Sequence, residues 1–408
     1  MSEPIRTTVL DDGLTVVTER MPAVRSAAVG FWVGVGSRDE DERHAGASHF
    51  LEHLLFKGTA TRSAAEIAET VDEVGGHLDA FTTREYTAFE VRLLAEHLDV
   101  GLDVLSDIFW RPAFRHDDVE TERDVILEEI RGAADEPGEL VHDLLIEAMF
   151  PDDPLGRPIL GSTASIGALT AETIAGFHAA HYLPGDVVVA AAGAIEHDAV
   201  VEGVARRRGD GSGGARRRRP PLQSTVARRH RRERGEQVHL ELGVAGLDRV
   251  DSDRFALDVA VQVLGGGLSS RLFQEVRERR GLAYEVFASH AGYDGAGVVH
   301  VYAATSPRTL GQVVDLVRAE LDAIGRVGVT DRELAVAKAG IRASYLLGLE
   351  DTGARMARLG RSHLALGETL PLDEVLSRYE ALTLDDVGRV VGRLFAAEPA
   401  QATVGPTR

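Results

Sequence analysis

The chain carries the same helix opening twice. LTAETIAGF begins at Leu169 and LTLDDVGRV at Leu382, each with a threonine just before an acidic first turn. That arrangement satisfies the free N–H groups at a helix start. A closing strand follows each helix, DVVVAAAGAI in the first half and the weaker AQATVGP in the second. Each half also opens on an alternating strand, AAVGFWVGVGS from Ala27 and VHLELGVAGL from Val238. A repeat this long is a duplicated domain and not a solenoid unit. The sequence therefore predicts an α+β fold of two duplicated domains, each a mostly antiparallel sheet with helices packed on one face.

The boundary between the halves is compositional. From Arg206 to Arg234 the chain is crowded with arginine, with only Asp210 and Glu233 as acids and with GDGSGG and PP inside it. No periodic apolar face survives there, so the segment reads as a mobile linker. The predicted organisation is residues 1–205, a linker at 206–234, and residues 235–408. A basic patch for nucleic acid is the competing reading, but no aromatic residues are interleaved for base stacking.

Composition narrows the chemistry. Of 408 residues 44% are hydrophobic and 27% charged, enough to build packed cores. The net charge of −20 disfavours nucleic acid and anionic lipid as partners. With no cysteine, a bound metal must be held by His, Asp or Glu. No apolar run approaches the ~18 residues of a membrane span. The opening MSEPIRTTVLDDG has no basic stretch followed by an apolar one, which predicts a cytoplasmic protein without a signal peptide.

Local signals order the first half. LTVVTER after the DDG turn is a hairpin strand, and HLDAFTTREYTAFEVRLL alternates around a turn near Arg84. Ser63 and Glu66 form a capping box for a helix reaching Val74. Helical stretches follow at Ala95 to Trp110, Asp118 to Ala133 and Glu139 to Met149.

The stretch with chemistry in it is Ser48-His49-Phe50-Leu51-Glu52-His53-Leu54. On a helix His49 and His53 are i and i+4, so both imidazoles leave one face about a turn apart. Glu52 projects beside them. Two neutral imidazoles suit a tetrahedral zinc site, and an adjacent carboxylate is placed to take a proton from water. A further protein ligand is needed. The helix around ERDVILEEI offers Glu122 and Glu129, two turns apart on one face, while Glu128 points elsewhere. By spacing alone these acids are equally the solvated side of an amphipathic helix.

HFLEHLLFKGT with ERDVILEEI downstream resembles the inverted-zincin metallopeptidases of the pitrilysin family, above all the branch of mitochondrial processing peptidase and short bacterial peptidases. The resemblance implies one zinc ion per chain held by His49, His53 and Glu129. It implies Glu52 as general base and Glu122 as a support behind the ligands. GGGLSSRLFQEVRERRGLAY is similar to the family's glycine stretch, helix and terminal tyrosine. This places Gly265, Gly266 and Gly267 at the substrate, with Arg277 and Tyr284 on its backbone and on the tetrahedral intermediate. The family's substrate-holding hairpin usually reads Asn-Ala-x-Thr; here it is Asp79-Ala80-Phe81-Thr82, with an acid in the first place.

The second half has no counterpart of the His pair, reading RFALDVAVQVLG at the equivalent helix. One chain therefore offers one such site. The resemblance implies a homodimer enclosing a chamber, with Arg277 and Tyr284 supplied in trans, acting on unfolded peptides or presequences. Two alternatives are a catalytically silent core-type homologue and one subunit of a heterodimeric processing peptidase.

Overall fold

The computed structural model describes residues 5–209, 211, 213–214 and 218–406. Met1–Pro4 of the opening stretch, and Asp210, Ser212 and Ala215–Arg217 of the arginine-rich segment, lie outside the described residues. Among the described residues no helix is long and apolar enough to cross a membrane.

Two sheets organise the chain. The first joins β1 (Arg6–Val9), β2 (Thr15–Arg20), β3 (Ser26–Val33), β4 (His77–Thr82), β5 (Thr87–Leu94) and β6 (Val187–Gly193) in the order β1-β2-β6-β3-β5-β4. The second joins β7 (Arg228–Arg232), β8 (Val238–Ala245), β9 (Ala283–Tyr293), β10 (Ala296–Thr305) and β11 (Ala400–Gly405) in the order β7-β11-β8-β10-β9. Only β2/β6 and β7/β11 pair in parallel; the other neighbours are antiparallel. The mixed α+β class with two mostly antiparallel sheets is as the sequence predicts. So are the β4–β5 hairpin and the threonine caps, with Thr170 and Thr383 accepting from Thr173 N and Asp386 N.

The expectation of helices on one face needs correction. The strand β3 is buried on both sides, with Phe31 and Val29 in one apolar cluster and Trp32 and Ala28 in another. The first cluster lies under the motif helix Ala47–Leu54 and the helix Leu98–Trp110. The second is covered by the helix Thr352–Leu366, whose Met356 and Leu359 pack on it. Met356 Sδ stands 3.3 Å from the Trp32 indole nitrogen. A strand that is apolar on both faces requires cover on both, and AAVGFWV carries that signature.

The compact units accordingly interleave along the chain. One comprises the chain up to Ile130, the stretch from Arg157 into the arginine-rich segment, and Leu347–Pro371. The other comprises Arg131–Gly156, Arg218–Leu346 and the chain from Leu372 onward. These differ from the linear boundaries at 205 and 235. In the second unit the helix Pro137–Met149, from the first half, packs on β8 and β11 through Val141, Leu145 and Met149. The linker expectation changes too. Arg206 and Arg207 end the helix His197–Arg207, and Arg228–Arg232 form the edge strand β7. All five β7 residues are exposed, so no apolar alternation announces the strand; pairing with β11 alone defines it.

Met356→Ala should cost about 2–5 kcal/mol of stability, since a fully buried side chain is removed against a rigid indole. Denaturant unfolding followed by tryptophan fluorescence measures it, and a loss below about 1 kcal/mol would refute the packing role given to this helix.

Candidate metal centre

The motif helix Ala47–Leu54 starts where the backbone turns left-handed at Gly46, φ +92°, a conformation that favours glycine. Its free N–H groups meet a buried carboxylate. Glu40 accepts from Gly46 N at 2.8 Å and from Ser48 N at 2.7 Å. Burial pushes Glu40 up to about 7, against these two bonds, which favour the ionised form. Phe50, Leu51 and Leu54 then anchor the helix in the core. The face left over carries His49, Glu52 and His53.

The i, i+4 spacing brings the two imidazoles together, with ring centres 4.7 Å apart. The helix His116–Ala134 presents Glu122 and Glu129 to them. Arg123 fastens that helix by donating to the carbonyls of Ile166 and Leu169. Glu129 Oε2 stands 3.6 Å from the Nε2 atoms of both His49 and His53. Glu122, nearly fully buried, takes a bond from His53 Nδ1 at 3.0 Å and an ion pair from Lys57 Nζ at 2.7 Å. Burial, with the neighbouring His53 as a lesser cause, lowers His49 to about 4, so its imidazole is neutral at physiological pH. Burial also raises Glu52, against a hydrogen bond from Thr82.

These donors fit a tetrahedral divalent ion. Bonds of about 2.1 Å at tetrahedral angles separate ligand atoms by about 3.4 Å. The observed 3.6 Å is close to that and too long for a hydrogen bond. One carboxylate oxygen and two imidazole nitrogens within 4.8 Å of one another, with His53 Nδ1 committed to Glu122, match in kind the donors of a zinc site and the partner behind them. The structure thus brings together the predicted His49, His53, Glu129, Glu52 and Glu122. It also separates the two acids, giving Glu129 the position facing both rings and Glu122 the one behind His53.

The hairpin residues Asp79, Ala80, Phe81 and Thr82 lie on β4, the edge of the first sheet, beside the motif helix. Asp79 sits opposite Glu90 in register, and its carboxylate accepts from Ala80 N at 2.9 Å. In the second unit, Gly265 ends the helix Arg254–Gly265 against β9; a Cβ there would stand 2.3 Å from Ala288 N. Gly265 thus has a packing role, whereas Gly266 and Gly267 are exposed. The helix expected after them is one irregular segment, Phe273–Glu278, wound more widely than an α-helix. Within it Arg277 lies over the Tyr284 ring at 4.7 Å, and Tyr284 is 77% exposed.

Two participants escaped sequence reasoning. Glu40 gave no local signal, because a loop separates it from the helix it caps. Lys57 did give one, being one of only two lysines in the chain.

Residues 15–163 match the insulinase (peptidase family M16) profile, and residues 168–341 match the peptidase M16 inactive domain. An uncharacterized zinc protease of Streptomyces coelicolor is 44% identical over 413 residues, covering 99% of this chain and 90% of that protein. The chain belongs to peptidase family M16. Another uncharacterized zinc protease, of Bacillus subtilis, is 37% identical over 397 residues, 97% of each chain. The M16 fold is shared with two solved structures, each 22% identical. A peptidase M16 inactive domain from Pseudomonas fluorescens gives a TM-score of 0.92 over 100% of this chain and 98% of that one. A protease from Helicobacter pylori gives 0.90 over 100% of both. Within this M16 chain, the His-Glu-His motif and its downstream acids fall inside the stretch matching the insulinase profile, and RFALDVAVQVLG inside the stretch matching the inactive domain.

Proposed function

We propose that this M16 chain is a zinc-dependent endopeptidase that hydrolyses unfolded peptides. The observation that carries the reading is Glu129 Oε2 at 3.6 Å from both His49 and His53, a separation close to that of tetrahedral ligands, with Glu52 on the same helix face beside the edge strand β4. His49, His53 and Glu129 hold one zinc ion per chain. When bound, the ion supplies Lewis acidity toward a carbonyl and makes water acidic enough to attack near neutral pH.

The remaining work belongs to the protein's own groups. Glu122 holds His53 Nδ1–H, which fixes the tautomer that leaves Nε2 free as a ligand. Lys57 balances the charge of the buried Glu122 carboxylate. Glu52 takes the proton of the attacking water and delivers it to the leaving amine. The unpaired edge of β4 pairs with the substrate backbone, a recognition that reads extension more than sequence and so selects unfolded chains. To pair at Ala80 the substrate must displace the Asp79 carboxylate from the Ala80 N–H.

Arg277 and Tyr284 complete the site from a second copy in a homodimer that encloses the substrate. Supporting this, Arg277, half-buried, lies over the ring of the exposed Tyr284 in the other unit. Tyr284 then donates to the oxyanion that forms on the scissile carbonyl.

Purified protein incubated with unstructured peptides should cleave them, and a zinc chelator should abolish the cleavage. Intact peptides with the metal bound would count against the reading. The shared site has its own test. Inactive Glu52→Gln mixed with inactive Tyr284→Phe or Arg277→Ala should regain activity, approaching one intact site per mixed dimer. Mixtures that stay dead after subunit exchange would remove the homodimer from the proposal.

A further inference from the structure

A second convergence of metal-type donors lies in the other unit, under the helix Pro137–Met149. His142 from that helix, Glu241 from β8 and His300 from β10 bring one ligand atom each within 4.8 Å of one another. Both imidazoles aim the same nitrogen, Nδ1, at a single oxygen, Oε1 of Glu241, each at 2.5 Å. The Glu241 side chain is 1% exposed. Val141 and Leu145 of the helix and Val298 and Tyr302 of β10 belong to one apolar cluster beside it.

We propose that His142, Glu241 and His300 form a second site for a divalent transition metal, zinc foremost, which fastens the helix Pro137–Met149 to the sheet. Several features of the cluster favour a ligand over a plain hydrogen-bonded contact. A carboxylate this deep is found paired or ligating metal, and here both of its partners are themselves metal-type donors. The far nitrogen of His300 is held by the Ser289 hydroxyl, directly opposite it on β9. A hydroxyl accepts as readily as it donates. It therefore serves either tautomer of His300, and can take the Nε2–H when Nδ1 gives up its proton and turns its lone pair to a cation, as partners behind a ligand do.

An entry path exists, since His142 is 34% exposed and its ring marks the solvent side of the cluster. Two imidazoles with one carboxylate select zinc, cobalt or nickel over magnesium or calcium, which prefer oxygen alone. Each imidazole nitrogen stands closer to the Glu241 oxygen than the 3.6 Å that separates Glu129 from His49 and His53, because N–H protons bridge them here. Binding a cation replaces those bridges, and protons on charged imidazole are released to solvent. The site is chemically separate from the peptidase reading and does not depend on it.

Zinc content measured on the reconstituted full chain tests the proposal. Wild type should carry about two zinc ions per chain, and His142→Asn about one. A variant with His49→Asn and His53→Asn, in which the first donor set is dismantled, should still bind about one zinc ion and melt at a higher temperature with zinc than without. That variant leaves the second cluster intact, so the test survives even if His142→Asn fails to fold. One zinc ion in wild type, retained by His142→Asn, would overturn the proposal, as would a double variant that takes up no zinc. Magnesium raising the melting temperature of the double variant as much as zinc does would also count against the transition-metal assignment.

Discussion

Glu52→Gln is expected to lower peptide cleavage by roughly 10²- to 10⁴-fold while zinc content and melting temperature stay at wild-type values. Glutamine keeps the shape of the side chain and can still accept from Thr82, the partner that holds Glu52 in place. What it loses is the ability to carry a proton from water to the leaving amine. The groups proposed to hold the metal are His49, His53 and Glu129, and Glu52 is not among them, so metal uptake is the internal control. A Glu52→Gln protein with zinc bound and near wild-type turnover would remove Glu52 from the mechanism. Loss of activity together with loss of zinc would instead make it a part of the metal-holding structure.

The second large effect is expected at Glu40, which touches no substrate and acts through the motif helix. Glu40→Ala strips the acceptor from Gly46 N and Ser48 N, both in buried surroundings, and should destabilise the fold by about 2–4 kcal/mol. Zinc affinity should fall with it, since His49 lies one residue beyond Ser48 and depends on the first turn for its direction. The pH dependence separates this carboxylate from a generic packing defect. Glu40 is raised by burial from the usual 4.5 to about 7. Between those values the unfolded chain binds fewer protons than the native state, so this group's contribution to stability falls as pH rises through the window and levels off above it. Alanine has no such slope. The gap between the unfolding midpoints of wild type and Glu40→Ala should therefore be widest near pH 5 and narrow toward pH 8. A gap that widens instead would show that Glu40 enters the fold ionised and stabilised, against the burial argument.

Much of the site is local and was legible for that reason. The i, i+4 placement of His49 and His53 follows from helix geometry once the stretch is helical, and so does the shared face of Glu122 and Glu129. The resemblance to the pitrilysin family then named the acid that faces the two rings, and the 3.6 Å spacing at Glu129 agrees with it. Spacing within one helix could not have chosen between Glu122 and Glu129. That choice depends on how far the helix His116–Ala134 is advanced along its axis against the motif helix.

Other features had no local trace. The cluster of His142, Glu241 and His300 comes from a helix and two strands that are remote in sequence, and its histidines carry no motif spacing. The strand β7 was hidden by exposure on both faces, which leaves hydropathy with nothing to alternate.

The sequence by itself determined the elements that carry a local pattern. Caps at Thr170 and Thr383, the alternation of β4 and β5, and the histidine pair are all written within a few residues, where backbone geometry ties pattern to structure. Only the tertiary structure decided which helix covers which sheet. Thr352–Leu366 closes the second face of the first sheet, and Pro137–Met149 packs on the second sheet, each drawn from the opposite half of the chain. An amphipathic helix states that it must bury a face, but not against which partner. That is settled by the fit of side chains such as Met356 on Trp32, while the start of the motif helix is held by Glu40, whose carboxylate reaches buried N–H groups across a loop.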